Sequence, residues 1–303
     1  ANGRDIPISR PEKILFPEDG ITKKDLATYF QRIFEVLAPH IEDRPLMLHR
    51  FPDGIGADGF YQKQVGGHFP DWIETVSIEL KETEGRREMM VANRAAALVY
   101  LADQACIALH GWMSRRDRLN RPDKMLFDLD PSGNDFEPVR QAAGKLHRLL
   151  LDVGLVSYVM TTGSKGLHIA VPLRSEEEFN GVRKFAGEIT RTLAARNPEH
   201  LTVESRKAKR RGRLYLDTQR NAYGQTGVVP YSPRALEGAP IATPLDWDEL
   251  KRRDLHPRSY TMKNLFRRLG QKPDPWRDMR RHARGLDKPW QRLREMRQSR
   301  GES

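Results

Sequence analysis

The sequence predicts an α+β protein with one sheet folded in the split β-α-β order. From residue 124 onward, its segments read strand, helix, strand, strand, helix, strand. The strands are short apolar runs bounded by turn residues, and the two helices carry apolar residues at helical spacing. The chain of 303 residues is long enough for one large domain or two of ordinary size, and its 38% of hydrophobic residues is enough for a core.

An N-terminal α/β module is predicted for residues 1–120. Thr22 and Asp25 fit a capping box, and the helical spacing of apolar residues after them predicts a helix over 22–38. Residues 41–100 alternate β-like runs with Gly and Pro, which favours a mainly antiparallel sheet. The run RAAALVYLADQACIALHGW predicts a second helix that buries the single cysteine, Cys106.

The split β-α-β module is predicted for residues 121–240. Its elements are, in order, MLFDLD, a helix in EPVRQAAGKLHRLLLDVG, LVSYVMT, LHIAVPL, a helix in SEEEFNGVRKFAGEITRTLAARN, and RLYLD. Right-handed crossovers make the first and third strands central neighbours and place the fourth beside the first, as in ferredoxin-like and RNA-recognition-type sheets. Both helices then cover one face, and the other face is expected to be open for binding. Residues 241–303 are predicted to form a basic helical segment packed on this core.

The charge balance favours a polyanionic partner. The chain has 52 Lys and Arg against 41 Asp and Glu, for a net charge of +11 and a pI of about 9.8. Nucleic acid is therefore the first partner to consider, and a basic surface without a specific ligand is the alternative. One cysteine excludes a disulfide framework or a cysteine-based zinc site. With no signal-peptide pattern and no run of 18 apolar residues, the sequence predicts a cytoplasmic protein.

Two aspartates interrupt the apolar strand KMLFDLDPSG. Asp128 and Asp130 lie two positions apart and therefore share one face of the strand, while Phe127 and Leu129 face the helices. Adjacent carboxylates repel each other, and a divalent cation relieves that repulsion. An isolated Asp-x-Asp pair before a turn is nevertheless more often a solvated pair than a metal site.

The predicted strand order brings further polar groups to these aspartates. The third strand begins at His168 beside the end of the first, and the loop TTGSKG reaches the same edge with Ser164 and Lys165. Asp217 ends the strand that flanks the first and is a candidate third carboxylate, although its height on the sheet is not fixed by sequence. Arg234, further along the chain, is a candidate second phosphate clamp.

This set of residues predicts metal-assisted chemistry on a polyphosphate. Two divalent ions held by the aspartates would bridge nucleotide phosphates and activate a 3′-hydroxyl for in-line attack, which is nucleotidyl transfer. Three alternatives remain open. A two-metal nuclease also uses carboxylates but needs no separate phosphate loop, an RNA-recognition-type module would place aromatic residues on the central strands, and a nucleotide-binding regulatory domain would bind without catalysis.

The motifs together resemble a known family. LFDLDP, TTGSKGLHIAVPL, VPYSPRA and PEKILFP followed by TKKDLATYF are similar to motifs of the polymerase domain of bacterial DNA ligase D, in the archaeo-eukaryotic primase superfamily. The resemblance runs from about residue 8 to 295. It implies a primase-like fold and a template-dependent polymerase of non-homologous end joining that works beside Ku, fills gaps, extends DNA ends and prefers ribonucleotides. It also implies two Mn²⁺ or Mg²⁺ ions, a nucleoid-associated location, and ligase and 3′-processing modules elsewhere in a longer protein.

The resemblance also implies roles for individual residues. The expected metal ligands and catalytic residues are Asp128, Asp130 and Asp217. The expected contacts to the incoming triphosphate are Ser164, Lys165, His168 and Arg234. Lys13 and Lys23 match positions that bind the 5′-phosphate of a gap, although Lys23 and Lys24, in the first turn of the predicted helix, also fit two solvated lysines. Phe60 and Tyr61 match an aromatic pair that stacks on a DNA base. His110 and Trp112 fall in a shared motif without an assigned role, and His49 stands where some relatives have lysine.

Overall fold

A computed structural model describes residues 4–80, 84–131, 133 and 135–301. The chain divides into two compact units. The first unit runs to Leu119 and takes in Thr226–Thr243 and Arg258–Asp274, and the second takes in Asn120–Gln225, Pro244–Pro257 and the chain from Pro275 onward. The three-part division at residues 120 and 240 stays a prediction.

The chain contains helices and strands, and its strands pair mainly in the antiparallel direction, as in an α+β protein. The strands are β1 (Ile14–Phe16), β2 (Ile21–Thr22), β3 (Leu46–Arg50), β4 (Phe60–Gln62), β5 (Thr75–Glu79), β6 (Arg86–Met90), β7 (Cys106–Trp112), β8 (Lys124–Asp130), β9 (Tyr158–Thr161), β10 (Leu167–Pro172), β11 (Leu201–Thr202), β12 (Leu214–Asp217), β13 (Thr226–Val228) and β14 (Thr243–Leu245). The helices are α1 (Lys23–Ile41), α2 (Ala95–Asp103), α3 (Glu137–Asp152), α4 (Phe179–Ala195), α5 (Leu265–Gln271) and α6 (Asp287–Ser299). None of the helices in the described ranges is long and apolar enough to cross a membrane.

The first unit contains an antiparallel sheet in the order β13-β7-β3-β6-β5, with β4 paired to β3. Helix α1 begins after Thr22, whose side chain accepts from Asp25 N–H while the Asp25 carboxylate accepts from Thr22 N–H. The predicted capping box is therefore confirmed. The helix runs through Pro39 to Ile41, three residues beyond the predicted end.

The predicted helix over RAAALVYLADQACIALHGW is wrong in its second half. Helix α2 ends at Asp103, Ala105 has a φ of 50°, and Cys106–Trp112 forms strand β7 between β3 and β13. The run is apolar on all sides, so its periodicity cannot separate a buried helix from a buried strand. Cys106 is buried as predicted, in a strand and not in a helix.

The sheet of the second unit has the predicted strand order. It reads β11-β12-β8-β10-β9-β14, with β8 and β10 as antiparallel neighbours and β12 antiparallel to β8. Strand β11, which pairs in parallel with β12, and strand β14, which begins at the boundary of the two units, were not predicted. Both are short strands at the edges of the sheet, where few residues are available to show a pattern.

Helices α3 and α4 pack on this sheet through the predicted apolar residues. Their fully buried side chains are Val139, Ala143, Leu146, Leu150, Val182, Phe185, Ala186 and Ile189. Helix α4 begins at Phe179, four residues later than predicted, and Ser175 has a φ of 55° that a helix does not allow. The acidic run SEEE is therefore a connection from β10 to the helix.

The expectation that the second face of this sheet is open is wrong for most of its length. Leu126 and Ala170 lie on that face and are buried, and so are Asp128 and His168. Apolar residues alternate into this face as well, so the strands are covered on both sides. Asp130, the last residue of β8, is exposed.

Candidate active site

Three polar side chains lie side by side across the sheet of the second unit. Asp128 on β8 is directly opposite His168 on β10 and directly opposite Asp217 on β12. Directly opposed residues of antiparallel strands project from the same face with their Cβ atoms about 5 Å apart. The predicted meeting of His168 with the aspartate strand is thereby confirmed, and the height of Asp217, which the sequence left open, is fixed by this register.

Asp128 is a buried carboxylate held between two basic groups. Its Oδ1 lies 3.4 Å from His168 Nε2, and its Oδ2 accepts a 3.3 Å hydrogen bond from Arg220 Nε. Burial alone would raise the pKa of this carboxyl group, but the His168 imidazole and the Arg220 guanidinium outweigh it and lower the pKa to about 2. Asp128 is therefore ionised at neutral pH.

Asp217 has the opposite environment. Burial raises its pKa, a 2.7 Å hydrogen bond from Gln219 N–H to Oδ1 opposes that rise, and the negative charge of Asp128 adds to it. The repulsion between the two facing carboxylates is thus only partly relieved by the protein. A divalent cation between them would complete that relief.

Carboxylate oxygens are the donors that Mg²⁺ and Mn²⁺ prefer. In the part of the chain that the structure describes, no three His, Cys, Asp or Glu side chains are gathered closely enough to hold a metal ion. Asp130 shares the face of Asp128 but lies at the strand end, opposite Tyr215. The structure thus brings together two of the three predicted metal ligands, Asp128 and Asp217, whose facing carboxylates fit a divalent ion. In this structure the oxygens of Asp128 are in contact with His168 and Arg220.

The loop TTGSKG is organised by one hydroxyl group. Thr162 Oγ1 accepts hydrogen bonds from Ser164 N–H at 3.3 Å and Gly166 N–H at 3.2 Å, and it donates to Gly166 O at 3.2 Å. Gly163 takes a φ of +65°, which a glycine adopts without strain. The loop therefore leaves β9 and enters β10 as a tight turn, with Ser164 half-buried and Lys165 exposed.

Gly166 is the point at which this loop meets the aspartate strand. A Cβ atom built on Gly166 would collide with Leu129 O and would lie 2.6 Å from Asp130 Oδ1. The absence of a side chain is what permits the close approach. The predicted meeting of the Ser-Lys loop with the acidic strand end is therefore confirmed.

The first unit presents the predicted aromatic pair. Phe60 and Tyr61 on β4 are 46% and 54% exposed, which is unusual for side chains of this size. Tyr61 stacks on His49, with ring centroids 4.0 Å apart and an interplanar angle of 15°. Burial and the charge of Arg234 lower the pKa of His49, so this imidazole is neutral at pH 7 and stacks as an uncharged ring.

The two lysines predicted to bind a 5′-phosphate already face carboxylates. Lys13 Nζ lies 2.8 Å from Asp53 Oδ1, and Lys23 Nζ lies 3.3 Å from Asp103 Oδ1 and donates to Ser9 Oγ at 3.0 Å. Lys23 is buried, so the solvated alternative is wrong for this lysine. The first-turn N–H groups of α1 are also occupied, because those of Lys23 and Lys24 donate to carbonyl oxygens of residues 13 and 11.

Several residues of these sites were missed by sequence reasoning. Arg220 lies three positions after Asp217 and contacts Asp128 through the turn that follows β12, a contact that no local pattern indicates. The role of Thr162 could have been inferred, since a threonine before a Gly-Ser turn often binds the backbone two residues on. Arg234, in contrast, was predicted, and it belongs to the first unit, so its assignment to the triphosphate stays a prediction.

Comparison with known proteins identifies the family. Residues 22–276 match the family described as "LigD, primase-polymerase domain". The chain belongs to this family. Its fold is accordingly the archaeo-eukaryotic primase-like fold, and members of the family are metal-dependent nucleotidyltransferases that act as DNA polymerases.

Individual relatives support the same family assignment. The chain is 31% identical over 248 residues to the multifunctional non-homologous end joining protein LigD of Mycolicibacterium smegmatis, covering 81% of this chain and 32% of that protein. It is 30% identical over 274 residues to the bifunctional LigD of Bacillus subtilis, covering 89% and 43%. A solved structure, the polymerase domain of Mycobacterium tuberculosis ligase D in complex with DNA, superimposes with a TM-score of 0.85 at 26% identity over 92% of this chain and 99% of that one. The chain spans about a third of the length of the first of these relatives.

Proposed function

We propose that the chain is the polymerase of bacterial non-homologous end joining, which adds nucleotides opposite a template at gaps and DNA ends. The observation that carries the proposal is the row Asp217, Asp128 and His168 across one sheet, with the Ser-Lys loop against the same strand end. A carboxylate pair for cations beside a loop for phosphates is what nucleotidyl transfer requires. The naming of the relatives as end joining proteins supports the biological role.

The metal site is proposed to consist of Asp128, Asp130 and Asp217. Two Mn²⁺ or Mg²⁺ ions held there would neutralise the triphosphate and lower the pKa of the attacking 3′-hydroxyl. Asp128 is ready to act as a ligand, because it is ionised well below neutral pH. Arg220 must release Asp128 Oδ2, and its guanidinium is then free to contact a phosphate oxygen nearby.

Contacts to the incoming nucleotide are proposed for Ser164, Lys165, His168 and Arg234. Lys165 is exposed at the tip of the loop and supplies a point charge for the outer phosphates. His168 Nδ1 is buried and makes no hydrogen bond to any described residue, while Nε2 faces Asp128. The proposed substrate is a nucleoside triphosphate, with a preference for ribonucleotides.

The DNA contacts are proposed to lie on the first unit. Exposed Phe60 and Tyr61 supply a stacking surface for a base, which is worth about 1–3 kcal/mol per base. Lys13 and Lys23 are proposed to bind the 5′-phosphate of a gap, in competition with Asp53 and Asp103. The proposed partners are DNA ends and gaps with a 5′-phosphate, Ku, and ligase and 3′-processing modules of a longer protein.

Gap filling tests this function. We expect the wild type to extend a primer across a short gap with a 5′-phosphate in Mn²⁺, and to select the nucleotide that pairs with each of the four template bases. Asp128→Ala should abolish extension, and Asp152→Ala, which removes an exposed carboxylate from the end of α3, should not. Metal-dependent cleavage without extension would favour the nuclease, and nucleotide binding without either reaction would favour a regulatory domain.

A further inference from the structure

A basic cavity lies in the second unit, away from the carboxylate row. It has a volume of about 420 Å³ and is formed where the end of α3, the segment after β10 and the start of α6 meet. Four cationic side chains line it: Arg174, Arg284, Lys288 and Arg292. Two carboxylates, Glu176 and Asp287, also line it, so its net charge is positive.

The cations of this cavity form no ion pair with any residue that the structure describes. Arg174, Lys288 and Arg292 make no ion pair or side-chain hydrogen bond with any described residue, and neither Glu176 nor Asp287 forms an ion pair within the described ranges. Elsewhere in this unit, exposed arginines such as Arg191 and Arg252 do pair with nearby carboxylates. Several cations left without counter-ions around one concavity favour an anionic ligand.

The cavity is built on fixed backbone. The N–H of Arg174 donates to Arg284 O at 3.2 Å, and Leu173 forms a parallel bridge with Arg284, so two of the lining segments are joined. Gly154 ends α3 with a φ of +87°, and a Cβ atom there would collide with the guanidinium of Arg292. The Arg292 side chain therefore packs directly over the glycine, which holds it at the cavity.

The lining residues point to a phosphate group and not to a base. The cavity has no aromatic residue in its lining, so it offers no surface on which a base or a nicotinamide ring could stack. Three of the four cations are arginines, whose planar guanidinium binds phosphate oxygens in a bidentate manner. Such a site would bind the phosphate regardless of sequence.

The position of the cavity suits an extended polyanion. Strand β10 begins beside the carboxylates at Leu167 and His168 and runs to Pro172, and Arg174 follows at its far end. Six residues of extended chain from His168 span about 20 Å, which is the length of about six base pairs of B-form DNA. A polymerase that binds DNA at the carboxylates thus carries a basic cavity within reach of the same duplex.

We propose that this cavity binds a backbone phosphate of the DNA substrate, at a distance of about six base pairs from the reacting end. It would add affinity that does not depend on sequence or on the 5′-phosphate of the gap. The inference goes beyond the proposed chemistry, because it concerns a DNA contact that the catalytic residues do not make.

The test compares two arginines of one helix. Arg292→Gln removes a lining cation, and Arg294→Gln removes an exposed cation two positions along α6, on a different face. Loss of one phosphate contact reduces the slope of log K against log salt by about 0.9, which is about eightfold in affinity at 0.1 M salt. We expect this loss of affinity and slope for Arg292→Gln and for Arg174→Gln, which lies on a separate segment. Arg294→Gln should lose less than about twofold in affinity, with no change of slope.

DNA length and free phosphate complete the design. The loss should appear on gapped DNA with hairpin-capped arms of about twenty base pairs and should be absent with arms of about four, which span only about 14 Å. Equal losses for Arg292→Gln and Arg294→Gln, or equal losses on both DNA lengths, would overturn the proposal. A third result would also overturn it: inorganic phosphate shifts the NMR amide signals of Gly154 and Gly285, while Arg292→Gln and Arg174→Gln bind DNA like the wild type. The cavity would then be a site for free phosphate and not for DNA. Primer extension by the wild type, measured in parallel, shows separately whether the proposed function stands.

Discussion

A single methyl group added at Gly166 should displace the Ser-Lys loop from the carboxylates. In Gly166→Ala, the new Cβ collides with Leu129 O and lies 2.6 Å from Asp130 Oδ1 if nothing moves. Leu129 cannot yield easily, because it is paired with Leu167 on one side and Leu216 on the other. The loop is held as well, through the hydrogen bond from Gly166 N–H to Thr162.

The expected magnitude follows from these contacts. Overpacking of this kind typically lowers the free energy of unfolding by about 1–3 kcal/mol. Relief of the collision requires a shift of about 1 Å at the loop or at Asp130, and a misplacement of that size costs about 10²-fold in rate. Gly166→Ala should therefore lose about 100-fold in kcat/KM for gap filling while it remains folded.

A matched substitution at Gly133 gives the control. Gly133 follows the same strand end, and a Cβ atom there meets no described atom within 4 Å. Urea unfolding and single-nucleotide gap filling would be measured for both variants. If Gly166→Ala retained the activity of Gly133→Ala, the close contact between loop and strand would have no part in catalysis.

The remaining predictions concern the loop, the 5′-phosphate and the cysteine. Thr162→Val removes three hydrogen bonds, so it should lower the free energy of unfolding by about 1–3 kcal/mol and raise KM for the nucleotide. Thr162→Ser keeps the hydroxyl group and should retain the wild-type stability and KM; equal stability and KM for the two variants would contradict this. Lys13→Ala should weaken binding to 5′-phosphorylated gaps roughly tenfold, or about 1.4 kcal/mol, and leave 5′-hydroxyl gaps unchanged; equal losses would make Lys13 a general charge. Burial raises the pKa of Cys106 to about 12, so a thiol reagent at pH 8 should label it only after unfolding, as mass spectrometry would show; rapid native labelling would contradict this burial.

The central sheet could be predicted because few rules determine it. Right-handed crossovers and the apolar runs at β8 and β10 fix the strand order, and the antiparallel ladder then places His168 beside Asp128. The same rules placed Asp217 on the flanking strand, but only the register of three paired residues shows that it faces Asp128. Register is a tertiary property that a four-residue strand does not encode.

Other features depend on contacts that the sequence does not reveal. Strand β7 was mistaken for helix because residues on both of its faces are buried, so alternation is absent from CIALHGW. The buried acidic face was predicted to be open, because the alternating Leu126 and Ala170 were not recognised as a second packed surface. Arg220 was missed for a related reason, since only the folded turn after β12 brings it to Asp128.

The position of bound manganese in crystals grown with a non-hydrolysable nucleotide tests most directly whether Asp128 and Asp217 form a metal site. We expect anomalous scattering from Mn²⁺ between the carboxylates of Asp128 and Asp217, with Arg220 withdrawn from Asp128 Oδ2 and the triphosphate at the Ser164–Lys165 loop. Manganese bound elsewhere, with Asp128 still held by His168 and Arg220 in the presence of the nucleotide, would contradict it.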